Sequence, residues 1–233
     1  MSLPPPPLPS DPRVLEAVQP RSPTNILVSA CLAAMPTVSY AEDLDTAVKG
    51  LAQDWSHVTY ELPEARQDDA YTSLERQGSE LIAQHPQRAE PRVWQAIILS
   101  THAGKHGGLG ARGMAKRARD LLQDAERIQP DALHGSIYTT LGSLYYQVPV
   151  WPVGFGDKDK ARTLLQKALQ IDPDGIDPNY FYGDFLNRTG DKAGAMAHLK
   201  KALAAPPRRD QAVADKGRRT QVQKLIDSIA ADN

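Results

Sequence analysis

Two histidines, His102 and His106, stand four residues apart. On a helix that spacing puts both rings on one face, as zinc ligands often are. No glutamate follows His102 as in a metalloprotease helix, and Gly104, Gly107 and Gly108 interrupt the stretch. The pair is therefore expected as solvated loop histidines, with no metal ligand assigned. The lone cysteine, Cys31, excludes an intrachain disulfide framework and a cysteine zinc site. No serine lies in a G-x-S-x-G context. "GKHGGLGARG" (residues 104–113) lacks the Lys-Ser/Thr ending of a phosphate-binding loop and is expected as a flexible connection between helices. "DPDGIDPNY" (residues 172–180) is rich in Asp but lacks the spacing and closing Glu of a calcium loop; it reads as a turn that caps the next helix. These residues assemble no catalytic constellation, so the chain reads as a non-enzymatic protein without a cofactor.

The aromatic residues carry more information. Eight of the fourteen Phe, Trp and Tyr residues, from Tyr145 to Phe185, crowd into about forty positions. Most of that group suits packing between helices. Tyr180, Phe181 and Tyr182 are consecutive, so they cannot share one helix face. At least one must look toward a concave surface or a loop. Trp151 and Phe155 lie on a Pro/Gly-rich stretch, "QVPVWPVGFGDKDKA", that can fold back to wall an apolar pocket. The candidate ligand- or partner-binding residues are Tyr145, Tyr146, Trp151, Phe155, Tyr180 and Tyr182.

These residues are carried by a repeat. "ARTLLQKALQIDP" and "AMAHLKKALAAPP" place Ala161, Leu165, Ala168 and Pro173 thirty-four residues before Ala195, Leu199, Ala202 and Pro207. That interval is the length of a tetratricopeptide repeat. Ala118, Leu122, Ala125 and Pro130 keep the spacing, and Leu74, Gly78, Leu81 and Pro86 form a weaker copy. The first three positions of each set share one helical face, where small residues admit a neighbouring helix, and the proline ends the helix. Gly142 and Gly183 supply small contacts on the preceding helices. Gly183 precedes Ala195 by 12 residues but Gly142 precedes Ala161 by 19, so the Trp151 stretch contains a seven-residue insertion. Asp157 is expected to cap the helix that follows it. The fold class is all-α: stacked antiparallel helix pairs in a tetratricopeptide-like solenoid or bundle. A helix over residues 44–60 forms an N-terminal cap, and one carrying Val222, Leu225, Ile226 and Ile229 forms a C-terminal cap. No clean alternating strand pattern occurs.

Residues 1–41 are set apart from the single all-α domain, residues 42–233. "MSLPPPPLPSDPR" is a polyproline-type leader. Arg21, the apolar run over residues 26–38 and the small residues Ser39 and Ala41 read as a secretory signal cleaved after Ala41. "VSAC", ending at Cys31, is a competing lipobox after a short apolar run, and a disordered tail is the third reading. A formal net charge of -1 argues against a nucleic-acid partner.

"LGSLYYQVPVWPVGFGDKDKARTLLQKALQIDPDGIDPNYFYGDFL", followed by "AAPPRRDQAVADKGRR", resembles the T-component (TatT-like) family of TRAP-type transporters. The resemblance spans roughly residues 74–226. It implies a helical, non-enzymatic protein of the periplasm that works with a periplasmic solute-binding protein or takes a hydrophobic or organic-acid small molecule. Outer-membrane association and self-association are compatible with it. The tail departs from the family in lacking its glycine-proline pattern, and the lipobox is poor. The alternative is a general interaction scaffold that binds peptide segments.

Overall fold

The structure is a computed structural model that describes residues 37–231, with side chains from residue 44 onward apart from that of residue 109. The leader, Cys31 and most of the apolar run lie outside the described residues. Four antiparallel helix pairs follow one another: α1 (Thr37–Tyr60) with α2 (Gln67–Gln84), α3 (Glu90–His106) with α4 (Gly108–Ile128), α5 (Ser136–Gln147) with α6 (Lys158–Ile171), and α7 (Ile176–Arg188) with α8 (Lys192–Ala204). A last helix, α9 (Ala212–Ala231), closes the series. The described residues contain no strand beyond one isolated bridge, Val150 to Gly156.

The repeat positions explain the pairing. Ala118, Leu122, Ala125, Ala161, Leu165, Ala168, Ala195, Leu199 and Ala202 all have 0% exposure. In the last two pairs the partners of Leu165 and Leu199 are glycines: a Cβ on Gly142 would lie 2.6 Å from Leu165 Cγ, and one on Gly183 2.9 Å from Leu199 Cγ. The thirty-four-residue shift between these two pairs thus records a packing rule, in which a glycine on one helix receives a leucine from the next. Asp157 caps α6 as expected, its Oδ1 accepting from the Asp159 and Lys160 amides at 3.0 Å each. Asp191 caps α8 through the Gly194 amide.

Three expectations change. The stretch expected as a flexible loop, residues 104–113, is almost wholly helical: α3 runs through His106, Gly107 (φ +66°) breaks the chain, and α4 starts at Gly108. Each helical glycine costs about 1 kcal/mol against alanine. The Ala115, Ala118, Leu122 and Ala125 face buried on α3 and α5 offsets that cost. The turn at residues 172–175 does not cap α7 through an aspartate. Instead the fully buried Asn179 donates back to the carbonyls of Pro173 and Gly175 at 2.8 and 2.9 Å.

The third change concerns the two end helices. α1 is the first member of the first pair, and it packs against α9 as well as α2 and α3. Ala214 of α9 joins the cluster of Leu44, Val48, Leu51 and Trp55. Lys49 Nζ reaches Asp210 at 2.7 Å, and the Tyr60 ring covers Gly217. Since α1 meets α3, α3 meets α5, α5 meets α7, α7 meets α9 and α9 meets α1, the inner helices form a closed ring.

Candidate functional site

The ring encloses a groove of about 940 Å³. Its walls change character from one side to the other. Val48 and Trp55 of α1 with Trp94 and Ile97 of α3 make an aromatic and aliphatic side. Trp55 and Trp94 pack with ring centroids 5.8 Å apart, and Trp55 donates its indole N–H to Thr101 at 3.1 Å. Thr139, Thr140 and Ser143 of α5 supply hydroxyls on the floor.

The opposite side, built by α7 and α9, is charged. Asp177 accepts from Arg208 Nη1 and Arg218 Nε, both at 2.6 Å, while Arg208 Nε also donates to Asp215 at 2.7 Å. Burial alone would raise the Asp177 pKa, but the Arg218 and Arg208 guanidiniums outweigh it and hold the carboxyl below its ordinary value. For Arg218, burial disfavours the charge, yet Asp177 together with Tyr60 and Tyr180 outweighs it and the pKa rises. The same guanidinium lies 4.6 Å from the Tyr180 ring centre and 4.8 Å from that of Phe181. Arg218 thus presents a flat, permanently charged surface wedged between aromatic rings.

A second polar unit adjoins it. Tyr146 donates its hydroxyl to Asp184 Oδ2 at 2.7 Å, and Arg188 Nε donates to the same carboxylate at 3.0 Å. Burial, then the neighbouring Asp184 charge, pushes the Tyr146 phenol well above its ordinary value, so it stays a donor. Asp184 and Arg188 line the groove, while Tyr146 supports them from behind.

The six residues expected as a site are divided. Tyr180 lines the groove, joined by its neighbour Phe181. Tyr182 is buried behind them, 6.1 Å from Phe185 and edge-on to His198 at 4.8 Å, so of the three consecutive aromatics two face inward and one packs. Tyr145 is 6% exposed and meets Phe155 edge to face at 5.5 Å. The Trp151 loop does not fold back over the concave surface. Phe155 lies under Arg119 of α4 on the other side of α5, the Asp157 amide bonds to the Tyr145 carbonyl, and Trp151 stands 83% exposed. The reason is local: the Gly156 amide closes on the Pro149 carbonyl at 2.9 Å, and Gly154 and Gly156 leave no room for a Cβ against Val148 and Pro149, which fixes the loop against its own helix pair. Sequence reasoning missed Trp55, Trp94, Asp177, Arg208 and Arg218. Arg208 and Arg218 stand in the quoted "APPRRDQAVADKGRR" tail, but nothing in the sequence links them to Asp177, up to 41 residues earlier.

The histidines also differ from expectation. His102 is helical and 4% exposed, held between Asp68 and Glu75 of α2, while His106 stays at the surface. Neither lines the groove.

A family model described as tetratricopeptide repeat matches residues 153–229. A thermophilic TPR protein of Thermus thermophilus superposes with a TM-score of 0.51 at 18% identity, over 69% of this chain and 78% of that one. The fold is a tetratricopeptide-type helical solenoid. No curated protein matches the chain by sequence. The T. thermophilus likeness is one of fold, and the repeat match covers α6 to α9, where the charged wall of the groove is built.

Proposed function

We propose that this protein is a non-enzymatic interaction scaffold whose ring-enclosed groove receives a segment of a partner protein. The observation that carries the reading is the groove itself: inner helices lined by Trp55, Trp94, Tyr180 and Phe181, with the Arg218 guanidinium 4.6 and 4.8 Å from the ring centres of the last two. Aromatic rings and arginine are the side chains that anchor binding surfaces. Thr139 and Ser143 donate their hydroxyls to the Gly135 and Thr140 carbonyls, which leaves their oxygens on the floor as acceptors. The resemblance to the T-component family makes a periplasmic solute-binding protein of a TRAP-type transporter the first partner to test. The same resemblance supports a periplasmic location, reached after export by the leader.

The confinement of the groove favours a second reading. A space of about 940 Å³ closed by five helices suits a guest of small cross-section, which includes a hydrophobic or organic-acid molecule. Native mass spectrometry of the protein isolated from its own host separates the two. A bound polypeptide, lost in a Phe181→Ser variant that still folds, supports the scaffold. A bound small molecule lost in the same variant supports the second reading. Species whose retention ignores Phe181→Ser contradict both.

A further inference from the structure

Outside the groove, α2 and α3 bring together Asp68, His102 and His106, with one ligand-competent atom of each within 4.8 Å of the others. We propose that these three residues bind a divalent transition-metal ion of the zinc class. His102 Nε2 lies 2.9 Å and His106 Nδ1 3.1 Å from the same oxygen, Asp68 Oδ1. Ligands held at about 2.0–2.1 Å in a tetrahedron stand roughly 3.3 Å apart. The two nitrogens stand as much as 4.8 Å apart, so to hold an ion the imidazoles would close by up to about 1.5 Å, a movement open to the exposed His106 side chain. Two imidazoles and one carboxylate, with the remaining positions left to water, is a donor set that selects ions of this class over calcium or magnesium.

The surroundings are those of a built site. His102 Nδ1 lies 2.7 Å from Glu75 Oε1, so that Nδ1–H donates to Glu75 and Nε2 is left aimed at Asp68. This is the carboxylate–histidine–metal arrangement that fixes the tautomer and raises ligand basicity. The Tyr71 ring stacks on His102 with centroids 5.2 Å apart and planes 21° apart, which sets the ring's tilt. Arg117 of α4 lies 3.7 Å from Glu75 Oε2 and pairs with that carboxylate. His102 is buried while Asp68 and His106 are exposed, so the site opens to solvent on one side only.

A simple ion pair accounts for part of this. An imidazolium at His102 would satisfy Asp68 and Glu75 by itself. A neutral His106 can add an Nδ1–H hydrogen bond to the same Asp68 oxygen, one helical turn on, and metal titration distinguishes that network from an ion held by all three residues.

Zinc titration of the full chain, stripped with a chelator and read against a chromophoric zinc indicator, tests the proposal. One ion per chain is expected. His106→Ala and Asp68→Asn, both at exposed positions, should weaken binding at least tenfold, and Glu75→Gln by roughly tenfold to a hundredfold. Zinc should raise the wild-type melting temperature and leave that of His106→Ala unmoved. A parallel sample with Cys31→Ser, which removes the one thiol in the sequence, should bind as the parent does. Failure to bind zinc, affinity in His106→Ala equal to that of the parent, or binding that vanishes with Cys31→Ser would each overturn the proposal.

Discussion

Gly142 and Asp177 show how much single positions carry. A methyl group on Gly142 would sit 2.6 Å from Leu165 Cγ, inside a contact that defines the repeat. Gly142→Ala should therefore destabilise the protein by about 1–3 kcal/mol, measured by urea unfolding, although alanine is the better helix former. Asp177 acts through charge. Its folded pKa lies below the ordinary value, so its contribution is complete above about pH 4 and is lost as the pH falls through the lowered folded pKa. Asp177→Asn should cost about 3 kcal/mol at neutral pH by leaving Arg208 and Arg218 without their shared partner. It should also flatten the decline of stability below about pH 4. An acid denaturation series on both proteins reads the two effects together. Ala161, Leu165 and Ala168 were legible in the sequence because small residues at fixed spacing record helix packing directly. His102 was not, because its partners Glu75 and Asp68 lie 27 and 34 residues away and no local pattern joins them.

The connection between α5 and α6 separates what is legible at the scale of an element from what is not. Its length, its glycines and the Asp157 cap follow from the repeat register, since nineteen residues stand where twelve would suffice. Its direction does not, because the register leaves open both the local closure of Gly156 onto Pro149 and the seating of Phe155 under Arg119 of α4. The two large residues of the loop should therefore behave differently. Phe155→Ala should lose roughly 2 kcal/mol through its contacts with Tyr145 and Arg119. Trp151→Ala, at an exposed position, should change stability by less than about 0.5 kcal/mol. Thermal melts of the two variants decide this. The α3–α4 junction teaches the converse: glycines within residues 104–113 suggested a loop, and the apolar face from Ala115 to Ala125 overrode them.

A period of thirty-four residues predicts stacked pairs but says nothing of where the first and last helices meet. That depends on summed rotation through four pairs, and here it brings α1 against α9. At Gly217 of α9 the Tyr60 ring of α1 stands where a side chain would be. Gly217→Ala should push the two helices apart, seen as faster amide exchange in α1 while α7 and α8 keep their protection. The closed ring turns a repeat surface into a groove with an aromatic side and an arginine-rich side, and the scaffold reading rests on it. Photo-cross-linking in the native host tests that reading most directly, with the reactive residue placed in turn at Lys105 and Arg209 in the groove and at Trp151 and Lys224 outside it. The account predicts a discrete polypeptide adduct from the two groove positions and none from the outer two. Adducts from Trp151 or Lys224 alone would contradict it.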